Sequence, residues 1–255
     1  MSRIDSALRT VLTLSTLFTA VLANAELGGL FWGAQSSLVA QSTDYENAAD
    51  ESSESASDRS GLESSKESRL ASAGMQVGWR HTLDQLFIVL QVEASYNFGE
   101  TQGIVAFDEL EDSGLNTSWT DRWNVASRSE AGAIAKFGRE FSLFTFARIN
   151  LYLLGGVKAS GVELDIDYSD FCPTADDCTD AQLESGKVSY AADQRLLVYG
   201  TGLERALTAS SSFCLEYRIE SEIDVKWTAN DPDHSFAPKL VANRSFVTAS
   251  INKYF

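Results

Sequence analysis

The stretch RSFVTASINKYF, residues 244–255, decides the fold of this chain. Side chains alternate between the two faces of a β-strand, and here one face is mainly apolar while the other is mainly polar. The apolar face carries Val247, Ala249, Ile251 and Phe255, interrupted by Lys253, and the polar face carries Phe246, Thr248, Ser250, Asn252 and Tyr254. A terminal aromatic gains little in water, because chain ends usually fray there. In a membrane β-barrel it has a role, since the last strand closes the barrel and rim aromatics meet the lipid headgroups.

Length and charge limit the class of protein. The chain has 255 residues and a formal net charge of −16, which is consistent with one domain. This balance argues against a nucleic-acid partner, which would require clustered Lys and Arg. Much of the charge lies in Asp44–Glu67 and Glu163–Glu184, which we interpret as water-exposed loops.

The first 25 residues have the pattern of a secretory signal peptide. Arg3 and Arg9 supply the charge, residues 11–22 the apolar run, and residues 23–25 a small-residue cleavage site. We expect cleavage near Ala25 and a mature domain of residues 26–255; the alternative is an uncleaved anchor helix. No later segment approaches the ~20 apolar residues of a membrane-spanning helix. A mature chain embedded in a membrane would therefore be a closed barrel.

Eight alternating segments follow, and the connections between them alternate in length. The segments are 27–40, 70–80, 86–98, 125–138, 143–160, 196–205, 212–224 and 244–255. Connections 81–85, 139–142 and 206–211 are short, whereas long loops are predicted at about 41–69, 99–124, 161–195 and 225–243. Short periplasmic turns, long extracellular loops and an even strand number are typical of outer-membrane barrels. The predicted fold class is all-β: an eight-stranded antiparallel up-and-down transmembrane β-barrel.

The positions of the aromatic residues distinguish a membrane barrel from a soluble sandwich, which would show the same alternation. Trp79, Phe137, Phe213 and Phe255 lie on the apolar faces near the short turns, and Tyr96 and Phe98 lie at a long-loop end. Aromatics at both ends of an apolar band form the two interfacial girdles of a membrane barrel. The apolar faces, with Ile88, Leu90 and Val92 or Leu151, Leu153 and Val157, are therefore expected to face lipid.

Residues 200–220, GTGLERALTASSSFCLEYRIE, resemble a hairpin of the small opacity-type outer-membrane proteins. That family shows a Gly-x-Gly-x-Glu strand, a short turn and a strand with Glu-Tyr-Arg, here Glu216-Tyr217-Arg218. Its members end in an aromatic after an alternating strand, usually as aromatic-x-Phe, where this chain has Lys253-Tyr254-Phe255. The resemblance covers the strand segments and not the long loops. It implies an eight-stranded barrel, adhesin or antigen roles, and a C-terminal assembly signal, here Ile251, Tyr254 and Phe255.

The charged residues of the polar faces are expected to fill the barrel. The alternation of inward and outward side chains along each strand places eleven of them inside: Arg80, Glu93, Arg128, Glu130, Lys136, Arg148, Lys158, Glu204, Glu216, Arg218 and Glu220. Eight strands enclose a space only wide enough for side chains to fill. Because an unpaired buried charge costs several kcal/mol, these acids and bases are expected to pair. The prediction is a plugged, rigid cylinder; the alternative is a narrow ion path lined by the same charges.

Three cysteines and an acidic loop are the first candidates for chemistry. Cys172 and Cys178 flank five residues in the third long loop, and a disulfide between them is predicted because an exported chain meets oxidising conditions. Cys214 shares the parity of Glu216 and is expected to be a small buried residue. The acidic residues of Asp165–Asp180 lack the spacing of a calcium loop and are interpreted as a solvated face.

A second candidate is the pair His234 and Ser235, close to Asp231 and Asp233. These residue types occur in hydrolases, and some small outer-membrane barrels modify lipid A, so such an enzyme is an alternative. Adjacent side chains in an extended segment point in opposite directions, however, which argues against a joint site. The other histidine, His81, lies in a predicted periplasmic turn.

The sequence therefore predicts a non-enzymatic outer-membrane barrel with both termini in the periplasm and a structural or surface-interaction role. No catalytic residue, metal or cofactor is assigned. The expected partners are outer-membrane lipid and lipopolysaccharide, the barrel assembly machinery through the C-terminal strand, and host or matrix ligands through the loops, and no nucleic acid.

Overall fold

The computed structural model describes residues 28–49, 62–110, 116–143, 147–171, 184–227 and 236–255, almost all of them in strands. The strands are β1 (Gly29–Ala49), β2 (Leu62–Leu83), β3 (Leu86–Phe98), β4 (Thr101–Leu110), β5 (Asn116–Ala126), β6 (Ser129–Leu143), β7 (Ala147–Phe171), β8 (Glu184–Thr208), β9 (Ser211–Glu220), β10 (Ile223–Lys226) and β11 (Phe236–Tyr254). Within the described part of the chain, no helix is long and apolar enough to span a membrane.

Eight of these strands form a closed antiparallel ring in the order β1-β2-β3-β6-β7-β8-β9-β11, with β11 returning to β1. The predicted fold class is confirmed. A path that starts at Arg69 and steps from each residue to its cross-strand partner passes first to Ala40 and then around the ring. It returns to β2 at Trp79, ten residues further along the chain than its starting point. A stagger of this kind is what closes a sheet into a barrel, with strands tilted by roughly 35–45°.

The ring is apolar outside and polar inside, as predicted. On β3 the alternation is regular, with Leu90 53% exposed and its neighbour Gln91 4% exposed. On β7, Leu153 is 68% exposed, whereas Leu154 faces inwards and is buried. The aromatics Trp79, Phe137 and Phe255 at one end and Tyr96 and Phe98 at the other are exposed, and Phe213 is half-buried.

The strands are longer than the sequence predicted, so the boundaries of the four long loops are corrected. Strands β1 and β2 occupy both ends of the predicted loop 41–69, including residues 42–49 and 62–69. Strands β4 and β5, β7 and β8, and β10 and β11 extend likewise into the other three loops. Hydrogen bonding to neighbouring strands explains the difference, because β1 pairs without a break with β2 on one side and β11 on the other. A ladder of backbone hydrogen bonds does not require the apolar alternation used to recognise strands.

Beyond the apolar band the ring opens into two facing sheets. We call this region the outer extension: residues 42–49, 62–68, 101–110, 116–126, 161–171, 184–194, 223–227 and 236–243. One sheet has the order β2-β1-β11-β10 and the other β4-β5-β7-β8, and no ladder joins β2 to β4 or β8 to β10 among the described residues. Side-chain hydrogen bonds cross the first gap, where Ser68 and Gln41 contact the Thr101 hydroxyl at 2.5 and 3.1 Å.

A buried apolar core holds the two sheets of the outer extension together. One sheet supplies Tyr45, Ile223, Val225, Leu240 and Ala242, and the other supplies Val105, Trp123, Val125, Val162, Leu164, Ile166 and Leu196. The rings of Tyr45 and Trp123 stack across the interface with centroids 5.5 Å apart. The outer extension is thus a small β-sandwich continuous with the barrel wall.

Replacing Leu164 in the sandwich core should loosen the outer extension without opening the barrel. Leu164 is fully buried, and a buried Leu→Ala change costs about 2–5 kcal/mol. Leu164→Ala should make the outer extension sensitive to limited proteolysis, while heat-modifiable gel migration, which reports the closed barrel, persists. Leu153→Ala, the same change at a lipid-facing site of β7, is the control. Equal proteolysis of both variants would show that the extension does not depend on this core.

Candidate functional site

Among the described residues, ten charged side chains are buried inside the ring, and their charges balance. The five bases are Arg80, Lys136, Lys158, Arg218 and Arg244, and the five acids are Glu93, Glu130, Glu204, Glu216 and Glu220. All lie at inward positions of the alternating strands. Removing so many charges from water is costly, and the cost is offset only when each charge has close partners of opposite sign.

The cluster nearest the outer extension joins two bases to two acids. The Lys158 ammonium lies 2.5 Å from Glu130 Oε2 and 2.8 Å from Glu220 Oε1. The two Arg244 terminal nitrogens lie 2.6 Å from Glu130 Oε1 and from Glu220 Oε2. Each carboxylate is therefore shared by two cations, and this arrangement ties β6, β7, β9 and β11 together.

The middle cluster is centred on Glu216. Its Oε1 accepts hydrogen bonds from Lys136 Nζ at 2.5 Å and from the Tyr152 hydroxyl at 2.7 Å. Its Oε2 accepts one from Arg218 Nε at 2.6 Å, and Arg218 Nη1 reaches Glu93 Oε1 at 2.7 Å. Four charges on β3, β6 and β9 are thus connected across the lumen.

The cluster nearest the short turns is centred on Glu204. Arg80 forms an ion pair with it, and the Tyr254 hydroxyl and Ser212 Oγ donate to Oε1 at 2.8 and 2.6 Å. Asn150 Nδ2 donates to Oε2 at 3.2 Å. The penultimate residue of the chain is therefore anchored inside the barrel by a buried carboxylate.

Large inward residues fit because the strand beside them carries glycine. Phe31 pairs with Gly78, Phe87 with Gly138, Tyr152 with Gly202 and Trp123 with Gly103. A Cβ atom on Gly138 would come within 2.4 Å of the Phe87 ring, and one on Gly202 within 2.6 Å of the Tyr152 ring. Phe31, Phe87, Tyr152 and Tyr254 belong to one buried cluster that fills the short-turn end of the lumen.

The structure places nine of the eleven residues assigned to the lumen from the sequence inside the ring. They are Arg80, Glu93, Glu130, Lys136, Lys158, Glu204, Glu216, Arg218 and Glu220. The side chain of Arg148 lies outside the described part of the structure. Sequence reasoning missed Arg244, although its even number already placed it on the same face as Phe246 and Thr248.

The assignment of Arg128 to the lumen is corrected, because this side chain is exposed and lies 3.7 Å from Glu163. The cause is the break between β5 and β6. Ala126 and Ser127 are both buried and Arg128 and Ser129 are both exposed, so the alternation shifts by one residue at this point. The alternation of β6, which correctly places Glu130 and Lys136 inside, does not extend back across this break to Arg128.

Other candidates from the sequence have simple surroundings or lie outside the described residues. Cys214 is buried in the lumen, and its sulfur accepts a hydrogen bond from Asn252 Nδ2 at 3.3 Å. His81 stacks on exposed Trp79. The cysteines Cys172 and Cys178 and the pair His234 and Ser235 lie outside the described residues. No set of three or more His, Cys, Asp or Glu side chains in the described ranges is placed to hold a metal ion.

The predicted C-terminal assembly signal and Asp165 of the acidic stretch lie among the described residues, whereas Asp176, Asp177 and Asp180 of that stretch lie outside them. Ile251 and Phe255 are exposed on the lipid-facing side, whereas Tyr254 faces the lumen. In the outer extension, Asp165 accepts hydrogen bonds from Ser189 at 2.6 Å and Lys187 at 3.1 Å, and these contacts lower the pKa of its carboxyl. Asp165 is thus a hydrogen-bonded surface residue.

A closed antiparallel ring of eight strands with an apolar exterior and a filled, ionised interior is a barrel of the outer-membrane type. No protein-family model matches the chain, and no curated protein matches it in sequence. It is similar in structure to Neisserial surface protein A, with 12% identity, 89% of this chain and 99% of that chain covered, and a TM-score of 0.39. The similarity to the attachment invasion locus protein Ail of Yersinia pestis has 12% identity, covers 89% of this chain and 99% of that chain, and has a TM-score of 0.29. The similarity to the outer-membrane protease OmpT of Escherichia coli has 8% identity, covers 93% of this chain and 100% of that chain, and has a TM-score of 0.39. At TM-scores this low, the similarities carry no information about function.

Loss of one lumen cation should destabilise the barrel far more than loss of one cation outside it. Arg244→Met leaves Glu130 and Glu220 sharing Lys158 alone, and breaking such a buried pair costs about 3–5 kcal/mol. Lys239→Met, on the same strand, breaks a half-exposed contact with Glu46 and should cost under about 1 kcal/mol. Urea unfolding in detergent micelles, followed by heat-modifiable migration, measures both. Adding Glu220→Gln to Arg244→Met should restore part of the loss; no recovery would mean that packing, and not charge, is responsible.

Proposed function

We propose that this protein is a surface-interaction barrel of the bacterial outer membrane, related to the opacity-type family. In this proposal residues 1–25 are removed on export, both termini lie in the periplasm, and the outer extension projects from the cell. The C-terminal strand, with Ile251 and Phe255 facing outwards, is the segment that the assembly machinery recognises. The protein has no catalytic role in this proposal and presents a binding surface to host or matrix ligands.

The observation that carries the proposal is that described side chains fill the interior at three successive levels. The aromatic cluster around Phe87 and Tyr152 occupies the short-turn end, the three ion clusters occupy the middle, and the sandwich core around Trp123 closes the outer end. Filling of the interior by these described residues supports a function located on the surface of the protein. The remaining surface for function is the outer face of the extension.

The chemistry of that outer face favours a basic partner. Exposed acids are distributed over both sheets and the segments joining them: Asp44, Glu67, Glu100, Glu163, Asp167, Asp193, Glu222 and Asp224. Acidic surfaces attract basic partners and raise the rate at which they meet, an effect that salt weakens. A cationic stretch on a host or matrix protein is therefore the ligand class that fits.

Removing negative charge from the extension should reduce adhesion of cells that display the protein. The variant Glu163→Gln with Asp193→Asn and Asp224→Asn keeps the shape of three exposed side chains and removes their charges. Adhesion to immobilised matrix proteins should fall severalfold and should become less sensitive to salt. Asp84→Asn, in the tight turn after β2 at the opposite end, is the control. Unchanged adhesion, or the same loss with Asp84→Asn, would contradict the proposal.

The filled lumen should not conduct ions. Purified protein in planar bilayers should show no stable conductance above that of protein-free membranes, because the five buried bases and five buried acids occupy the lumen as pairs. The variant Lys158→Met with Arg244→Met is informative, since it removes both cations of the upper ion cluster. Steady wild-type conductance with an ion selectivity altered by this variant would favour the narrow ion path.

A further inference from the structure

We infer that the lipid-facing wall carries a binding site for a phosphorylated glycolipid of the outer leaflet, with the glycolipid phosphate at Arg69. The site is a groove across β2, β1, β11 and β9. The inference rests on the orientation given under the proposed function, in which the outer extension lies outside the cell. It does not depend on adhesion.

The groove results from small side chains flanked by large ones. It encloses about 660 Å³. Arg69, Ala40, Ser245 and Ile219 are consecutive cross-strand partners and form one row around the wall. Ala40 and Ser245 form the low middle of this row, while Arg69 stands at one end and Tyr217 borders the other. The wall is therefore concave at this level.

Arg69 lies where headgroups would meet the wall. The outward residues that follow it on β2 toward the short turn are Ala71, Ala73, Met75, Val77 and Trp79, all apolar. Arg69 is exposed and, among the described residues, has neither an ion pair nor a hydrogen-bond partner. In a chain with a net charge of −16, an unpaired arginine at the upper edge of an apolar band is available to an anion from the membrane.

The groove changes from polar to apolar along its length, as an amphiphile does. Arg69, Ser42, Asn243 and the exposed carboxylate of Glu67 line its upper part, and Tyr217 and Ile219 line its lower part. The planar guanidinium matches the geometry of a phosphate, while hydroxyl and amide groups suit the hydroxyls of a sugar. An acyl chain would continue down the apolar wall past Tyr217. A phosphorylated sugar with acyl chains, as in lipid A, satisfies all three parts of the groove.

A second outward-facing Ala–Arg pair supplies matched controls. Ala159 on β7 and Arg195 on β8 are cross-strand partners, as Ala40 and Arg69 are, and all four residues are exposed. Arg195→Ala therefore controls for loss of a rim cation, and Ala159→Trp for addition of a bulky lipid-facing side chain. Neither residue lines the groove.

Native mass spectrometry of the full-length protein in detergent, titrated with diphosphorylated lipid A, tests the site. We expect one saturable lipid. Arg69→Ala should weaken binding about fivefold, the effect of one cation near an anionic lipid surface. Ala40→Trp, which fills the groove without changing charge, should abolish saturable binding. Arg195→Ala and Ala159→Trp should bind as the wild type does, and dephosphorylated lipid A should bind the wild type as weakly as lipid A binds Arg69→Ala.

Several results would overturn the assignment. Equal losses of lipid A binding in the groove variants and in their controls would show that the lipid adsorbs to the barrel wall without a specific site. Phosphatidylglycerol binding as tightly as lipid A would show that the groove takes any anionic lipid. A change from dimer to monomer in Ala40→Trp would assign the groove to a second copy of the chain. If cells displaying the wild-type protein fail to adhere while lipid binding is intact, the proposed function alone is rejected, because binding in micelles requires no ligand on another cell.

Discussion

The charge network of the lumen, which is neutral and ion-paired among the described residues, is the constraint on which the rest of the structure depends. An eight-stranded ring that is apolar outside has its polar side chains directed inwards, where water is largely excluded. Glu130, Glu204 and Glu216 each meet the cost of burial by contacting more than one donor. Because the clusters join strands on different sides of the ring, the same contacts also connect those sides across the lumen. The network thus accounts for the rigidity of the barrel as well as for its closed interior.

The same continuous wall serves two environments, and the change between them occurs at irregular positions. Inside the ring the inward residues are charged, polar or aromatic, whereas in the outer extension they form an apolar core. Where the wall crosses the lipid, its outer face is apolar. In the outer extension the outer face meets water, so the sheets are stabilised by a hydrophobic core between them. The breaks after Ala126 and Glu220 lie at this boundary and shift the alternation of buried residues. In the described part of the chain, the ring separates into the two sheets after Phe98, where β4 does not pair with β2, and after Glu220, where β10 does not pair with β8.

The sequence was sufficient for the barrel because lipid imposes a strong pattern on it. The outward series through Leu90 and Leu153 and the inward series through Glu93 and Lys158 follow directly from period two. The sequence analysis missed the sandwich because its strands, such as residues 62–69, are polar on the outer face. They have neither the aromatic residues nor the segment length by which the membrane strands were recognised. Trp123 and Leu164 lay in ranges assigned to loops, so their burial could not be inferred. The assignment of Arg128 to the lumen was wrong for a local reason, because no residue type marks a one-residue shift in the alternation of inward and outward side chains.

These two interiors have different consequences for function. The ionic interior allows little movement, because displacing one side chain such as Arg244 leaves two carboxylates short of a partner. The apolar core of the extension is not directional, so its sheets tolerate substitution on their solvent side as long as Trp123 and Tyr45 remain covered. A rigid base and a tolerant outer surface together suit a protein whose binding surface varies while its membrane anchor does not. Variation should therefore be accepted at exposed positions such as Asp193 and Asp224 and be rejected at the paired charges of the lumen.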